Sequence, residues 1–341
     1  MNALPLLQEQ DPALGVLRPL HGCMEKEWGM DVAEGCGASC IHCAGAYAGE
    51  QMGAAHQVRV SPGVARRLAE ELERLAGTGR RPSRIRLGMA SDPLWPSKDV
   101  LDATGACLKA AFERGVPVEL HTRSLIPDSL LELMKSHPSM LRVVMGVMTV
   151  RETSALVYEP GLAPPMGRLR SLRPLVAAGV PVTVRVEPLV PLVNDTEADL
   201  EALLDAVARN GVNRVELAYL QLTPQTAKSL SRGLPRMHRE MLKGLFATEA
   251  WAAGPFGQRK LLPRVLREAG YERAVEVARR FGIQATICAC AEPDLKATVC
   301  KRGGSIAPTV TATSERKSTP PPVESTAQLG LFAQGLRRMA R

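Results

Sequence analysis

Aromatic residues are scarce in this chain: they make up 4% of 341 positions, as three Trp, four Tyr and five Phe. A core must therefore be aliphatic, and an apolar content of 45% is ample for one large domain or two ordinary ones. No stretch approaches the roughly 20 apolar residues of a membrane span, so no spanning helix and no membrane partner is expected. Met1 to Gly15 has neither a basic opening nor a sustained apolar run, and no secretory signal is expected there. Eight cysteines stand at positions 23, 36, 40, 43, 107, 288, 290 and 300. In a chain this long they do not resemble a disulfide framework, and metal ligation in a reducing cytoplasm is the expectation. Surplus charge is thin on the body. Of the net +8, +5 falls from Lys301 onward, where seven Lys/Arg face two Glu, and +3 is left on the first 300 residues. Overall basicity is thus a weak argument for nucleic acid on the body and a better one for the tail.

What the chain does have is the loop Glu34-Gly35-Cys36-Gly37-Ala38-Ser39-Cys40-Ile41-His42-Cys43. Three cysteines spaced x3 then x2, with small residues between the first two, can turn three thiolates onto one face and hold three irons of a [4Fe-4S] cube. The other readings are a zinc knuckle or three free thiols. Structural zinc wants four ligands, usually as two pairs separated by a longer loop, and a lone triplet fits that poorly. The spacing Cys36-x3-Cys40-x2-Cys43 resembles the signature of the radical SAM superfamily. That resemblance implies an open iron that S-adenosylmethionine chelates, and a 5′-deoxyadenosyl radical released after one electron is delivered. An electron donor such as flavodoxin or ferredoxin is then implied.

Along the chain, 1–26 read as an irregular lead-in and Trp28 to Ala33 as a first strand leading into the cysteine loop. Ser61-Pro62 reads as an N-cap followed by proline at the first helical position, and Val64, Leu68, Leu72 and Leu75 form an apolar stripe that Gly77 ends. The spacing then predicts strands over 84–90, 116–122, 141–149, 180–187 and 213–222, and helices over 98–114, 127–136 and 165–178. A further helix opens at Thr196-x-x-Asp199 and closes at Asn210-Gly211. About six βα repeats are too few for an eightfold barrel, and predict an α/β fold built on a partial (βα)6 TIM-type barrel with its site at the strand C-terminal ends. Met89–Pro93, His121–Ser124 and Arg185–Pro188 lie at those ends as polar stretches in an otherwise apolar barrel. On position alone, Asp92 and Thr122 serve equally well as caps of the helices that follow.

With these stretches in view, residues 28 to 225 resemble the spore photoproduct lyase branch of radical SAM proteins. The resemblance is carried by the cysteine loop, Ser91-Asp92-Pro93, Thr122-Arg123-Ser124, Glu159-Pro160-Gly161 with Gly167-Arg168-Leu169, and Pro188-x-x-Pro191 with Asn194-Asp195. It implies a radical SAM fold, a [4Fe-4S] cluster on Cys36, Cys40 and Cys43, S-adenosylmethionine, and repair of a damaged pyrimidine pair in DNA. Ser91, Asp92, Arg123 and Glu187 are the residues expected at the S-adenosylmethionine pocket, with Arg123 where the lyase's lysine meets the cofactor carboxylate. The departures are equally specific. Met89 stands where the lyase has a hydrogen-donating cysteine, and a thioether has no S–H to give. Ala44 replaces a tyrosine after the last cluster cysteine, with Tyr47 three residues on, and Gly146 and Met148 replace a serine and an asparagine of the fourth strand.

Beyond the barrel, 226–302 read as a helical extension carrying Cys288, Cys290 and Cys300. These can serve a second cluster, with Cys23 as a fourth ligand, or remain buried thiols; Cys107, inside a helix, reads as core. From 303 to 341 the chain reads as a disordered tail, Ser/Thr/Pro/Gly-rich to Thr326 and followed by the apolar peptide Gln328-Leu329-Gly330-Leu331-Phe332. Gln328, Leu329, Leu331 and Phe332 resemble the motif by which bacterial repair and replication proteins dock on the DNA sliding clamp; a helical turn packing back on the body is the other reading. Together these expectations describe a cytoplasmic radical SAM enzyme of DNA repair. Two alternatives stand beside it: the same chemistry on RNA, a peptide or a small metabolite, and a metal-binding clamp partner with no catalysis.

Overall fold

The computed structural model describes residues 15–20, 27–43, 58–254, 257–288 and 291–295. All belong to one compact unit, Met1–Pro308. Cys23, Ala44, Tyr47, Cys290, Cys300, the linker 303–326 and the peptide Gln328–Phe332 lie outside the described residues.

The chain enters through β1 (Arg18–Pro19), β2 (Glu27–Met30) and β3 (Ala33–Glu34), then β4 (Arg59–Val60) and α1 (Val64–Gly77). There follow β5 (Arg84–Leu87), α2 (Lys98–Glu113), β6 (Val118–Thr122), α3 (Asp128–Lys135) and β7 (Leu141–Gly146). Helices α4 (Glu152–Tyr158), α5 (Pro165–Ser171) and α6 (Arg173–Ala177) lead to β8 (Val182–Leu189), α7 (Glu197–Arg209) and β9 (Arg214–Tyr219). The last elements are α8 (Pro224–Gly233), α9 (Arg236–Leu245), β10 (Ala252–Gly254), β11 (Gly257–Arg259), α10 (Arg264–Arg280) and β12 (Gln284–Ile287). One eight-stranded sheet runs β1-β2-β5-β6-β7-β8-β9-β12. In this sheet only β1 is antiparallel to its neighbour; β2 through β12 are parallel, and among the described residues the two edges do not pair. This is the expected partial barrel, with one parallel strand more than the six repeats anticipated, because β12 of the C-terminal extension pairs with β9 from Gln284↔Arg214 to Ile287↔Leu217.

Alternation along the strands decides the layers. Ile85 and Leu87 of β5, and Val182, Val184 and Val186 of β8, are buried in a core shared with Leu68, Leu72 and Leu75 of α1 and with Cys107 and Leu108 of α2. Burial pushes the Cys107 thiol up to about 12, as expected of an inert core cysteine. The opposite face is not the apolar lining anticipated. Arg84 and Arg86 clamp Glu27 at 3.0 and 2.6 Å, Arg86 also reaches Glu119 at 3.2 Å, and His121 lies 2.9 Å from Glu119. Glu119 is buried here and the arginines are partly so, and their charges are matched to one another where a closed barrel would stack apolar layers.

Three further differences from the expected boundaries have identifiable causes. Helix α1 begins behind Gly63, in the left-handed region at φ 61°, rather than at Ser61-Pro62; the Ser61 backbone instead donates to Val32 O and accepts from Val64 N, both at 3.1 Å. The single helix predicted over 165–178 is two, α5 and α6, meeting at Leu172, because Pro174 has no N–H to continue the ladder. Helix α4, seven residues long, is too short to show a periodic stripe and was not anticipated. Thr196 caps α7 as expected, its side chain accepting from Asp199 N at 3.3 Å.

Candidate active site at the cysteine loop

Cys36, Cys40 and Cys43 lie just beyond β3, beside the C-terminal ends of the parallel strands, and all three are half-buried. The loop is held from several sides. The pairs Ala33↔Val60 and Glu34↔Arg59 tie its entry to β4. Ile41 N donates to Tyr158 O at 3.0 Å, and Gly161 N donates to Ala38 O at 3.1 Å. A Cβ at Gly161 would stand 2.6 Å from Ala38 O, so glycine is what allows the two backbones to meet. Thr226 Oγ1 of α8 donates to Cys43 O at 3.4 Å. The motif Glu159-Pro160-Gly161 is therefore a clasp on the cysteine loop.

Burial pushes the Cys36 thiol up to about 11; backbone hydrogen bonds from Ala38 and Asp92 work the other way, and the Asp92 and Cys43 charges add to the rise. Burial also raises Cys40 well above the ordinary thiol range, with the Glu159 charge the next contributor. Burial thus holds Cys36 and Cys40 as thiols near neutrality until a cation replaces their protons, and both sense the charge of Cys43. This donor set fits an iron–sulfur cube with three protein ligands.

Two aspartates organise the loops above β5 and β6. Asp31 accepts from Met89 N at 2.8 Å, Ala90 N at 3.0 Å, and Ser91 N at 3.0 Å and Oγ at 3.2 Å. Asp92 accepts from Leu94 N at 2.9 Å, Thr122 Oγ1 at 2.7 Å, Arg123 N at 2.8 Å and Ser124 N at 3.1 Å. Asp92 and Thr122 therefore cap no helix; they tie the loop after β5 to the loop after β6. Ser91 and Asp92 face these bonds, whereas the other two residues expected at the cofactor pocket, Arg123 and Glu187, come together beside the cysteines. Arg123 Nη2 donates to Glu187 O at 2.9 Å and Nη1 donates to Glu159 Oε1 at 2.6 Å. The Glu187 carboxylate pairs with Arg185 at 2.6 Å. Burial opposes the Glu187 charge, but Arg185 and Arg123 outweigh it and lower its pKa.

Glu159 is the hub, although the sequence assigned it no role. Its side chain is wholly buried between Arg123 and Arg168, the latter at 2.5 Å, with His42 Nε2 at 3.4 Å. Burial works against its charge, yet Arg123, His42 and Arg168 hold the carboxyl well below the usual range. Burial drives His42 towards its neutral form. Donor atoms of Cys40, His42 and Glu159 all lie within 4.8 Å of one another. Gly146, one of the departures from the lyase pattern, has a use here: a Cβ there would stand 2.8 Å from Arg123 Cγ, so its absence lets Arg123 cross β7 to reach Glu159. Met89 is half-buried against Gly29, and Met148 is fully buried. Asp31, His42, Glu159 and Arg168 are the residues that sequence reasoning left without a role. Asp31 had one signal, an acid at the end of a parallel strand; Glu159 and Arg168 had theirs in the motif that follows α4 and the motif within α5.

Cys288 is exposed just past β12, at the same end of the parallel sheet as the cysteine loop. The segment after it is anchored to α10. Arg267 pairs with Glu292 and, at 2.6 Å, with Asp294; Tyr271 OH donates to Glu292 at 2.6 Å; and Arg259 Nη1 donates to Ala291 O at 3.1 Å.

No protein-family profile matches the chain. An uncharacterized protein of Acidianus two-tailed virus is 28% identical over 134 residues, 38% of this chain and 44% of that protein. An uncharacterized protein of Mycobacterium bovis is 26% identical over 227 residues, 66% of this chain and 64% of that protein. The chain thus spans less than two thirds of these curated relatives. Among solved structures, a spore photoproduct lyase variant with bound AdoMet and dinucleoside spore photoproduct superposes with a TM-score of 0.62 at 17% identity, covering 80% of this chain and 78% of that one. A second, spore photoproduct lyase complexed with dinucleoside spore photoproduct, gives 0.58 at 17% identity, over 75% of each chain. Strand order, the place of the cysteine loop and these superpositions agree: the chain has the radical SAM fold in its spore photoproduct lyase-like form.

Proposed function

We propose that this chain is a radical SAM enzyme acting on DNA in lesion repair. The observation that carries the proposal is the cysteine loop: three cysteines spaced x3 then x2, clasped by Glu159–Gly161, beside the strand C-terminal ends of a partial barrel of this fold. Cys36, Cys40 and Cys43 would hold a [4Fe-4S] cluster, and Arg123 and Glu187 stand where the amino-acid end of S-adenosylmethionine would be met. When bound, cluster and cofactor together supply a primary carbon radical for hydrogen abstraction. The chain's own part is to position. Glu159 fixes Arg123 and His42, Asp31 and Asp92 fix the loops over the strand ends, and half-burial keeps bulk water off the thiols. Met89 offers no S–H, so hydrogen return to a substrate radical uses another group than in the lyase. DNA as substrate is supported by the dinucleoside spore photoproduct bound in the two lyase neighbours and by the clamp-like peptide Gln328–Phe332. An external one-electron donor of the flavodoxin or ferredoxin class completes the scheme. Cys288, with Cys290 and Cys300, is proposed as a second cluster site.

Anaerobic reconstitution with iron and sulfide, followed by dithionite and S-adenosylmethionine, tests all of this. About four irons per chain with 5′-deoxyadenosine formed supports a single cluster, and about eight, falling to about four when Cys288, Cys290 and Cys300 become alanine, supports two. A colourless zinc protein that forms no 5′-deoxyadenosine would overturn the enzyme. Deleting Gln328–Phe332 is expected to abolish clamp binding and to sensitise cells to DNA damage. Turnover without either effect would point to the alternative substrates, RNA, a peptide or a metabolite.

A further inference from the structure

The small positive charge of the body is not spread over it. Between Pro224 and Thr248 the sequence holds five Lys/Arg and a single acid, Glu240, a local excess of +4 against +3 for the first 300 residues together. Outside this stretch, then, the body is one charge negative. The stretch is α8 and α9. On α8, Lys228 and Arg232 stand four residues apart on one exposed face. On α9, Arg236 and Lys243 are exposed seven residues apart, with Glu240 between them, 2.9 Å from Lys243. Arg239 Nη1 donates to Ser231 O at 3.0 Å, tying α9 back to α8. The apolar sides of the pair, through Leu230, Leu234 and Leu242, are buried in the common core, which leaves the cations as the solvent face.

The position of this face gives it meaning. The first turn of α8 donates to Cys43 O through Thr226, and Ile41 Cγ2 lies 2.8 Å from where a Cβ on Gly233 would stand, so the helix adjoins the cysteine loop along its length. Elsewhere arginines beside the sheet are matched by acids, as Arg84 and Arg86 are by Glu27 and Glu119. We propose that the exposed face of α8 and α9 is a phosphate-binding surface that seats the sugar–phosphate backbone of a nucleic acid beside the cysteine loop. A row of cations with one acid among them is the electrostatic footprint of a polyanion. An anionic membrane is the poorer match, since Met237 is the one large apolar side chain exposed on the two helices and nothing there can insert among acyl chains.

The surface presupposes the nucleic-acid substrate proposed above, but binding is read without cluster, cofactor or turnover, so the two fail separately. Anisotropy of labelled single- and double-stranded DNA and RNA is titrated with the full chain from about 50 to 200 mM salt. For K228A/R232A/R236A/K243A the expected result is at least about tenfold weaker binding, with the log–log salt slope reduced by roughly 3 to 4 on a duplex. Arg239 is spared because it joins the helices. The matched control R66A/R74A, on exposed side chains of α1, is expected to stay within about twofold. E240K, which adds a cation to the same face, is expected to tighten binding about two- to tenfold and steepen the slope by about 0.9; it serves even if the quadruple variant folds poorly. Loss in the variant for either DNA or RNA supports the surface. Unchanged binding in both the quadruple variant and E240K, equal loss in R66A/R74A, or variant-sensitive binding to phosphatidylserine vesicles alone overturns it. Formation of 5′-deoxyadenosine alongside such a failure leaves the radical chemistry standing and moves the substrate elsewhere.

Discussion

A single carboxylate, Glu159, faces two guanidinium groups, Arg123 and Arg168, and an imidazole, His42, with no access to water. Removing one partner of such a cluster leaves the others buried and uncompensated, a change that costs about 3–5 kcal/mol. Glu159→Gln is therefore expected to lower stability by about that amount at pH 7, measured by urea unfolding. The pH dependence has a definite sign. The folded-state pKa of Glu159 is depressed, so its contribution is complete above the ordinary glutamate value of about 4.3 and is lost as pH falls through the folded value. The gap between wild type and variant should narrow in acid; a gap that widens there would contradict the assignment. Because Glu159 also sets Arg123 beside the cysteines, the variant should retain iron yet show a weakened change in the electron paramagnetic resonance of the reduced cluster when S-adenosylmethionine is added.

At the scale of elements, the loop 158–161 and the helix caps make separable contributions. Gly161 meets the backbone of Gly37 and Ala38, where no flexible side chain can give way. Gly161→Ala should then push the clasp off the cysteine loop at a cost of about 1–3 kcal/mol and lower iron retention after reconstitution, as read by iron count. Thr196→Ala, remote from the cysteines, should cost about 1 kcal/mol through the lost α7 cap and leave iron content unchanged. Equal iron loss in both variants would mean that stability, and not the clasp, governs cluster uptake. The same scale shows why some boundaries were legible and others not. The stripe Val64–Leu75 and the cap at Thr196 are local signals and appear where the sequence placed them, whereas the start of α1 moved because Val32, far away in sequence, engages Ser61.

For the whole molecule, β12 carries the sheet beyond the six repeats, and Glu292 and Asp294 beyond it are held by Arg267, whose guanidinium is buried between them. Arg267→Ala strands Glu292 in the core and should destabilise the chain by about 3–5 kcal/mol. If Cys288, Cys290 and Cys300 hold iron, this variant should lose that share selectively, while iron on Cys36, Cys40 and Cys43 persists. Loss of both in parallel would make β12 a support of the first site, with no separate metal centre behind it.

The sequence already carries the cysteine loop, the amphipathic stripes, the βα rhythm and the resemblance they support, because each is written in spacings of a few residues along one stretch of chain. It also placed Arg123 and Glu187 at strand ends, where they do meet beside the cysteines. Tertiary structure alone decided the rest. His42 and Glu159 are 117 residues apart and Asp31 and Ser91 are 60 apart, distances over which no periodicity carries information. The sheet face opposite α1 and α2 became a ladder of ion pairs because Glu27, Arg84, Arg86, Glu119 and His121 come together only when their strands pair, and α8–α9 became a basic surface beside the site because their apolar sides dock on the core. Short-range pattern selects elements; the burial of one element against another selects which side chains share a site.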